Sequence, residues 1–123
     1  MDYKGFRDLE CYREGRNLRI FTAGIIKKLP PFEKFLLISQ MRRASRSVTT
    51  NIAEGYGRFT YKDTRNFFLI SRGSVAEIIE HFTIALDEGY ISKEEFGTGE
   101  ELCSRVFRLI NGYISYLERQ SKL

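Results

Sequence analysis

Apolar residues recur at intervals of three and four positions along this chain, and no other feature restricts its fold as strongly. In the clearest segment, positions 37, 41, 44, 48 and 52 are Leu, Met, Ala, Val and Ile, which places an apolar line on one side of a helix. Similar lines run through residues 11–29, 68–85 and 102–117. Because each line needs other helices to cover it and 123 residues support one core, the sequence predicts a single all-α domain over residues 1–123.

Breaking and capping residues predict where the helices begin and end. Pro30 and Pro31 end the first helix, because proline fixes φ and lacks an amide donor, and Gly55 and Gly57 suit a left-handed end to the second. Capping-box spacing occurs at Thr60 with Asp63, Ser92 with Glu95 and Thr98 with Glu101. The predicted helices cover about residues 6–28, 32–55, 61–87 and 99–119, with a short turn before the last. Since the connections are short, we predict an up-down-up-down antiparallel four-helix bundle.

Composition excludes several classes of protein. No apolar run approaches the roughly 20 residues of a membrane span, and the first residues carry no apolar signal segment, so we expect a cytoplasmic protein without membrane contact. Cys11 and Cys103 fall on apolar helical lines, which predicts reduced thiols packed in the core. His81 is the single histidine and is expected at the surface or rim. The sequence therefore predicts no metal site and no other cofactor.

A second regularly spaced line on the second predicted helix is polar. Folding back around residues 57–60 brings Arg43 level with Ser74, and Gln40 level with Glu77, because both helices rise equally per residue. We predict an Arg43–Glu77 ion pair within a partly buried network that fixes the register of the two helices. The members of this network are Gln40, Arg43, Asn51, Glu54, Ser74 and Glu77.

The same carboxylates offer a catalytic alternative. Glu54 or Glu77 would act as a base and an arginine as an anion clamp, but the sequence places no nucleophile or metal ligand set beside them. We therefore expect no enzyme.

Positive charge is concentrated in one half of the chain. The first 58 residues carry a formal charge of +6 and the remainder −2, which favours an acidic partner such as RNA or self-association between the two halves. Basic residues interleaved with aromatic ones around the connection between the second and third helices could hold phosphates and stack on bases. A solvated surface with hydrophobic caps at the end of the bundle explains them equally well. The nucleic-acid-binding candidates are Arg42, Arg46, Arg58, Lys62 and Arg65.

Short motifs occur in a specific order: QMRRA at 40–44, NIAEGYGR at 51–58, RGS at 72–74 and EGY at 88–90. Together they resemble the four-helix-bundle family of ribosomal RNA intervening-sequence proteins, over most of the chain. Tyr12 stands where that family often has a tryptophan. The family defines no catalytic set to transfer, so the matching residues are signature positions. They are Gln40, Arg43, Asn51, Glu54, Gly55, Arg58, Gly73 and Ser74.

The resemblance implies a small bacterial protein encoded in or near insertions in large-subunit ribosomal RNA genes. It also implies similarity to the accessory variability determinants of diversity-generating retroelements, which form pentameric barrels and associate with nucleic acid and a reverse transcriptase. From it we expect a non-enzymatic cyclic homo-oligomer, a pentamer, that binds RNA or DNA. A reverse transcriptase is an expected partner only where one is encoded beside the protein. The alternative is an oligomeric scaffold that binds protein only and uses its basic residues for subunit contacts and solubility.

Overall fold

The computed structural model describes residues 5–122, which form four α-helices. The helices are α1 (Glu10–Ile26), α2 (Leu37–Tyr56), α3 (Tyr61–Asp87) and α4 (Lys93–Ser121). Short 3-10 turns at Phe6–Asp8 and Pro31–Glu33 precede α1 and α2, and residues 5–122 contain no strand. The all-α fold with four helices, predicted from the apolar spacing, is confirmed.

Each helix packs against two others, in the cyclic order α1, α2, α3, α4. Between α2 and α3, Arg43 pairs with Glu77, whereas Gly55 lies against Phe68 nearer the connecting loop, so these helices run antiparallel. Side-chain contacts show that α4 is antiparallel to both α1 and α3. Within residues 5–122, α2 makes no helix contact with α4, which places these two helices diagonally across the bundle.

The core contains the apolar lines predicted for the first three helices. Every residue of those lines is buried, including the small polar residues Thr22 and Ser71. The line predicted for α4 was wrong: Leu102, Leu109 and other members are only half-buried. The buried line of α4 consists of Gly99, Cys103, Val106, Ile110 and Ile114. Apolar residues at neighbouring positions give α4 a wide apolar face, so spacing alone did not identify its centre.

Helix α2 begins at Leu37, later than the predicted start near residue 32. Pro31–Glu33 form a separate 3-10 turn, and the backbone at Leu36 (φ −117°, ψ −106°) lies outside the helical region. The Glu33 carboxylate accepts hydrogen bonds from the Leu37 backbone amide at 3.3 Å and from the Tyr90 hydroxyl at 2.8 Å. The hydrogen bond with Glu33 raises the pKa of the Tyr90 hydroxyl to about 12. Glu33 thus caps α2 and ties the α1–α2 connection to the α3–α4 connection.

The predicted bounds of α1 and α4 also needed correction. The chain near Phe6 forms a 3-10 turn, and the extended backbone of Leu9 delays α1 until Glu10. Ser92 and Glu95 form a complete capping box, so α4 begins at Lys93 and continues without a break. Thr98 is therefore an interior helical residue, not the cap of a separate last helix. The predicted bounds of α3 agree with the structure.

The glycines at the ends of α2 and α3 have different roles: Gly55 permits close packing, and Gly89 forms a turn. Gly55 and Gly57 have no positive φ, contrary to the expected left-handed end of α2, whereas Gly89 (φ 76°) adopts that conformation after α3. Gly55 is buried, and a Cβ atom there would lie 2.9 Å from both the Cβ of Phe67 and the Cδ1 of Phe68. Absence of a side chain at Gly55 therefore permits the close approach of α2 and α3.

The two cysteines are free and buried, as predicted. Burial raises the pKa of Cys11 to about 11 and that of Cys103 to about 12. Both thiols therefore stay protonated at neutral pH, and their role is packing.

Replacement of Gly55 by Ala should destabilise the protein by about 1–3 kcal/mol, because the added methyl group overlaps the buried Phe68 ring. The matched control is Gly73→Ala on α3, where no atom lies within 4 Å of the added Cβ. That change should stabilise the protein by about 0.5–1 kcal/mol through helix propensity. Urea denaturation of both variants measures the difference, and equal effects of the two changes would refute the close-packing role of Gly55.

Candidate nucleic-acid interface

The polar line on α2 makes side-chain contacts with α3. Arg43 donates to the Glu77 carboxylate in an ion pair at the bundle surface. One turn further along α2, Ser47 accepts hydrogen bonds from Ser74 at 2.8 Å and from the Asn51 side chain at 2.9 Å. The contacts link both helices through side chains, and they include Ser47, which the predicted set omitted.

The predicted Arg43–Glu77 ion pair is confirmed. The side-chain contacts are nevertheless offset by about a turn from equal backbone height, which put Arg43 level with Ser74, whereas Ser74 contacts Ser47. Because Cα–Cβ bonds tilt toward the helix N-terminus, side chains on α2 lean away from the connecting loop and those on α3 lean toward it. A residue on α2 therefore meets a residue further along α3 than backbone height indicates.

Two members of the predicted network lie apart from these contacts. The Gln40 side chain is exposed and makes no hydrogen bond to any of residues 5–122. Glu54 forms an ion pair at 2.6 Å with Arg58, four residues further along the chain, and not with α3. The side chains that link α2 to α3 here are therefore Arg43, Ser47, Ser74 and Glu77.

His81 is buried, contrary to its expected position at the surface or rim, with 3% of its surface exposed. Its Nε2 atom lies 3.6 Å from the Glu77 carboxylate, and its Nδ1 atom has no hydrogen-bond partner among residues 5–122. Burial lowers the pKa of His81 below its ordinary value of 6.5. The nearby Arg43 charge also lowers it, whereas Glu77 and Glu80 oppose the shift. The histidine is therefore a buried neutral neighbour of the Arg43–Glu77 pair.

A shallow groove runs along the exposed side of α2 beside the α1–α2 connection. Its lining combines cationic, aromatic and small side chains and contains no Asp or Glu. The lining residues are Lys34, Phe35, Ile38, Ser39, Arg42, Arg43 and Arg46. The groove therefore has the composition of a surface that binds an anionic partner.

The positive charge of this groove is only partly neutralised. Glu77 pairs with Arg43, whereas the side chains of Arg42 and Arg46 make no hydrogen bond or ion pair with any of residues 5–122. These two arginines are four residues apart on α2 and therefore share one helix face. Phe35 is 83% exposed beside them, and the Nζ atom of Lys34 lies 5.3 Å from its ring centroid. The groove thus offers free guanidinium groups next to an exposed aromatic ring.

The other basic candidates lie at the opposite end of α2. Arg46 precedes Arg58 by twelve residues, which corresponds to about 18 Å along a helix. Arg58 is held by Glu54 and lies over the Phe67 ring, 4.6 Å from its centroid. Lys62 and Arg65 are exposed on the first turns of α3. The five predicted candidates therefore form two separate clusters, of which only Arg42 and Arg46 line the groove.

Four residues of the groove, Lys34, Phe35, Ile38 and Ser39, were not predicted from the sequence, and Lys34 and Phe35 supply its remaining charge and its aromatic ring. The available signal was a lysine beside two phenylalanines immediately after the paired prolines, in a segment that was assigned to a helix. The helix begins only at Leu37, so this segment forms a connection that lies against the arginines of α2.

Two further kinds of feature, a membrane-spanning helix and a metal-binding cluster, are not found in residues 5–122. No helix in this part of the chain is long and apolar enough to cross a membrane. No three His, Cys, Asp or Glu residues in this range are grouped so that they could hold a metal ion.

Arg43→Ala should lower the free energy of unfolding by up to about 1 kcal/mol, because it removes a solvent-accessible ion pair between α2 and α3. Arg42→Ala, the neighbouring control, should change stability by less than about 0.5 kcal/mol because Arg42 has no partner among residues 5–122. Chemical denaturation at low salt measures both variants. Equal stability losses would argue against a structural role for the Arg43–Glu77 pair.

The stability of the protein should fall as pH decreases through the range below 6.5. In this range the unfolded chain binds a proton at His81, whereas the folded chain, in which the pKa of His81 is lower, resists protonation. The contribution of His81 to the free energy of unfolding is complete above pH 6.5. It is lost as the pH falls toward the pKa that His81 has in the folded protein. Urea denaturation at about pH 7 and about pH 5.5 should show a smaller loss for His81→Gln than for the wild type. Identical losses in the two proteins would exclude His81 as the source.

Comparison with known proteins identifies the family. None of the curated proteins that were searched matches the chain. The family model described as 23S rRNA-intervening sequence protein matches residues 7–112. This match includes α1, α2, α3 and most of α4, together with the whole groove. The chain therefore belongs to the 23S rRNA-intervening sequence protein family.

Proposed function

We propose that this protein binds RNA through the groove formed by α2 and the α1–α2 connection. The observation that carries the proposal is that Arg42 and Arg46 lack partners among residues 5–122 beside the exposed ring of Phe35, in a groove without carboxylates. Free guanidinium groups hold backbone phosphates, and an exposed aromatic ring stacks on an unpaired base. The groove supplies both interactions within one short segment of the surface.

The family supports the choice of RNA. Its description refers to 23S ribosomal RNA, so a structured fragment of that RNA is the first ligand to test. Single-stranded loops and bulges of such a fragment offer unstacked bases to Phe35, and their backbones offer phosphates to the arginines. DNA of the same sequence serves as the comparison ligand. We place the protein in the cytoplasm, where its buried thiols stay reduced and where ribosomal RNA is made.

The proposed role is binding without catalysis. Glu54 and Glu77, the carboxylates that a catalytic site would use as base, are paired with Arg58 and Arg43. Both carboxylates are therefore engaged by guanidinium groups within the bundle. No reaction is therefore assigned to these residues.

A second candidate function is that of an oligomeric scaffold that binds protein only. The observation that favours it is the number of large apolar side chains left on the protomer surface. The most exposed are Ile20, Phe32, Phe35, Leu36, Phe59 and Ile70. Three of them belong to the α1–α2 connection, where a neighbouring subunit could cover them.

We also propose that the protein assembles as a homopentamer, which both functions can use. Exposed apolar residues at several places support subunit contacts, and a ring would repeat the groove around its axis. A reverse transcriptase is proposed as a partner only if the gene lies beside one.

Replacement of Arg42 and Arg46 together by Gln should weaken binding to the ribosomal RNA fragment about tenfold at low salt. It should reduce the slope of log affinity against log salt by about 1.4–1.8, because two phosphate contacts are lost. The control is Arg108→Gln with Arg119→Gln on α4, which removes the same charge diagonally across the bundle. Filter binding over a range of salt concentrations measures both variants.

Three results would count against this site. Equal weakening by the control would indicate general charge attraction, and unchanged affinity of the groove variant would place the contact elsewhere. Absence of RNA retention at low salt would reject RNA binding and favour the protein scaffold.

Light scattering should give a mass about five times the 14.4 kDa of the protomer. Phe32→Ser with Leu36→Ser should lower this mass if the α1–α2 connection contributes to the subunit contact, because both side chains are exposed in the protomer. Lys27→Ser, a change at a nearby exposed residue that is already polar, is the control. A monomer at micromolar concentration would reject the assembly.

A further inference from the structure

A second cationic pocket lies at the start of α1, outside the groove and outside both predicted basic clusters. It is formed between the Phe6–Asp8 turn and the first two turns of α1. Its lining residues are Arg7, Tyr12, Arg13, Arg16 and Asn17, so three of the five are arginines and none is acidic.

Local contacts hold the two walls of this pocket together. The Phe6 ring packs edge-on against Tyr12, with centroids 4.9 Å apart, and the Arg7 guanidinium lies 4.8 Å from the Phe6 centroid. Arg13 donates a hydrogen bond of 2.8 Å from Nη1 to the backbone carbonyl of Asp8. The turn is therefore fixed against α1, and contacts position the guanidinium groups of Arg7 and Arg13 in the pocket.

The charge of this pocket is not neutralised within the described chain. No Asp or Glu oxygen of residues 5–122 lies within 4.0 Å of a side-chain nitrogen of Arg7, Arg13 or Arg16. Arg16 makes no hydrogen bond, ion pair or ring contact with any of these residues.

Glu14, an acidic residue next to Arg13 on α1, is paired with another helix. Glu14 accepts from Arg105 of α4 at 2.9 Å through one carboxylate oxygen and from Asn17 at 2.8 Å through the other. The hydrogen bond from Arg105 lowers the pKa of Glu14, which therefore remains charged and paired. The nearby Arg13 charge also lowers the pKa of Glu14, but Glu14 forms its ion pair with Arg105. Three positive groups thus face one pocket without a direct ion-pair partner, an arrangement that a bound anion stabilises.

The pocket continues into the surface between α1 and α2. Tyr12 lines both the pocket and a shallow depression that contains Arg19, Thr49 and Thr50. Arg19 donates to the Thr49 hydroxyl at 2.7 Å, which aligns the middle of α1 with the middle of α2. From this point Arg16 lies about one turn toward the start of α1, and Arg46 about one turn toward the start of α2. Since the helices are antiparallel, Arg16 and Arg46 are roughly 10 Å apart along the bundle axis.

We propose that Arg7, Arg13 and Arg16 form a phosphate-binding pocket that takes a backbone phosphate of the RNA bound in the groove. This inference rests on the RNA binding proposed above and extends its footprint from α2 across to α1. Planar guanidinium groups match the geometry of phosphate oxygens and bind them through paired hydrogen bonds. Arg19 lies between the two sites, in a depression whose one acidic lining residue, Glu54, is paired with Arg58. Arg19 therefore offers a further cationic group on the path of the strand.

The pocket is tested with Arg16→Glu, since replacement of a side chain without partners among residues 5–122 leaves the intramolecular contacts intact. This variant should bind the 23S ribosomal RNA fragment at least tenfold more weakly than the wild type at low salt. The control is Arg108→Glu on α4, the same charge reversal at an exposed arginine, which should weaken binding less than threefold. Calorimetric titration with sodium tripolyphosphate provides a second readout, with one site per protomer expected in the wild type and none in Arg13→Gln with Arg16→Gln.

The outcomes separate this inference from the function on which it rests. If the wild type and Arg16→Glu bind RNA equally while the Arg42 and Arg46 variant does not, the pocket is rejected and RNA binding by the groove stands. If the wild type binds no RNA, RNA is rejected as the source of the phosphate, whatever the tripolyphosphate result. An equal effect of Arg16→Glu and Arg108→Glu, or tripolyphosphate binding unchanged in the double variant, would also overturn the pocket.

Discussion

The close contact between α2 and α3 determines how the rest of the bundle is arranged. Gly55 lets the two backbones approach near the connecting loop, and further along the pair the buried Ser71 hydroxyl donates 2.7 Å to the backbone carbonyl of Val48. A shift of one residue between the helices would break this interhelical hydrogen bond, which contributes about 0.5–1.5 kcal/mol. Steric fit at one end and hydrogen bonding in the middle therefore select the same register.

This register gives adjacent residues of α2 different roles. Arg43 faces α3 and its Glu77 carboxylate, whereas Arg42 and Arg46 point to the groove beside the α1–α2 connection. Because a helix turns about 100° per residue, an arginine can serve the fold while the next one stays available to a ligand. The same division occurs on α1, where Glu14 binds α4 through Arg105 while Arg16 remains exposed.

Sequence patterns predicted the helices well and their ends less well. Spacing located the buried lines of α1, α2 and α3, because one strong apolar line leaves no choice of inward face. It misplaced the line on α4, where adjacent apolar positions make two faces look alike. The late start of α2 depends on the backbone at Leu36 and on a cap supplied by the Glu33 side chain, neither of which follows from residue spacing.

The candidate site was predictable only in part, for related reasons. Arg42 and Arg46 stood out because they are close in sequence, but Arg58, Lys62 and Arg65 lie at the other end of α2 once the helix is built. Lys34 and Phe35 join the groove through the shape of a connection, and Arg7, Arg13 and Arg16 meet only because a turn folds onto α1. Burial of His81 depends on how far α3 rotates about its axis, which a position beside the apolar line did not specify.

Glu33 gives the groove a property that its lining residues alone do not provide. Its carboxylate is held by the Leu37 amide on one side and by the Tyr90 hydroxyl on the other, which anchors the segment that carries Lys34 and Phe35. A ligand that enters the groove meets a surface that is already ordered. Because ordering a loop on association costs conformational entropy, this preorganisation lets more of the contact energy appear as affinity.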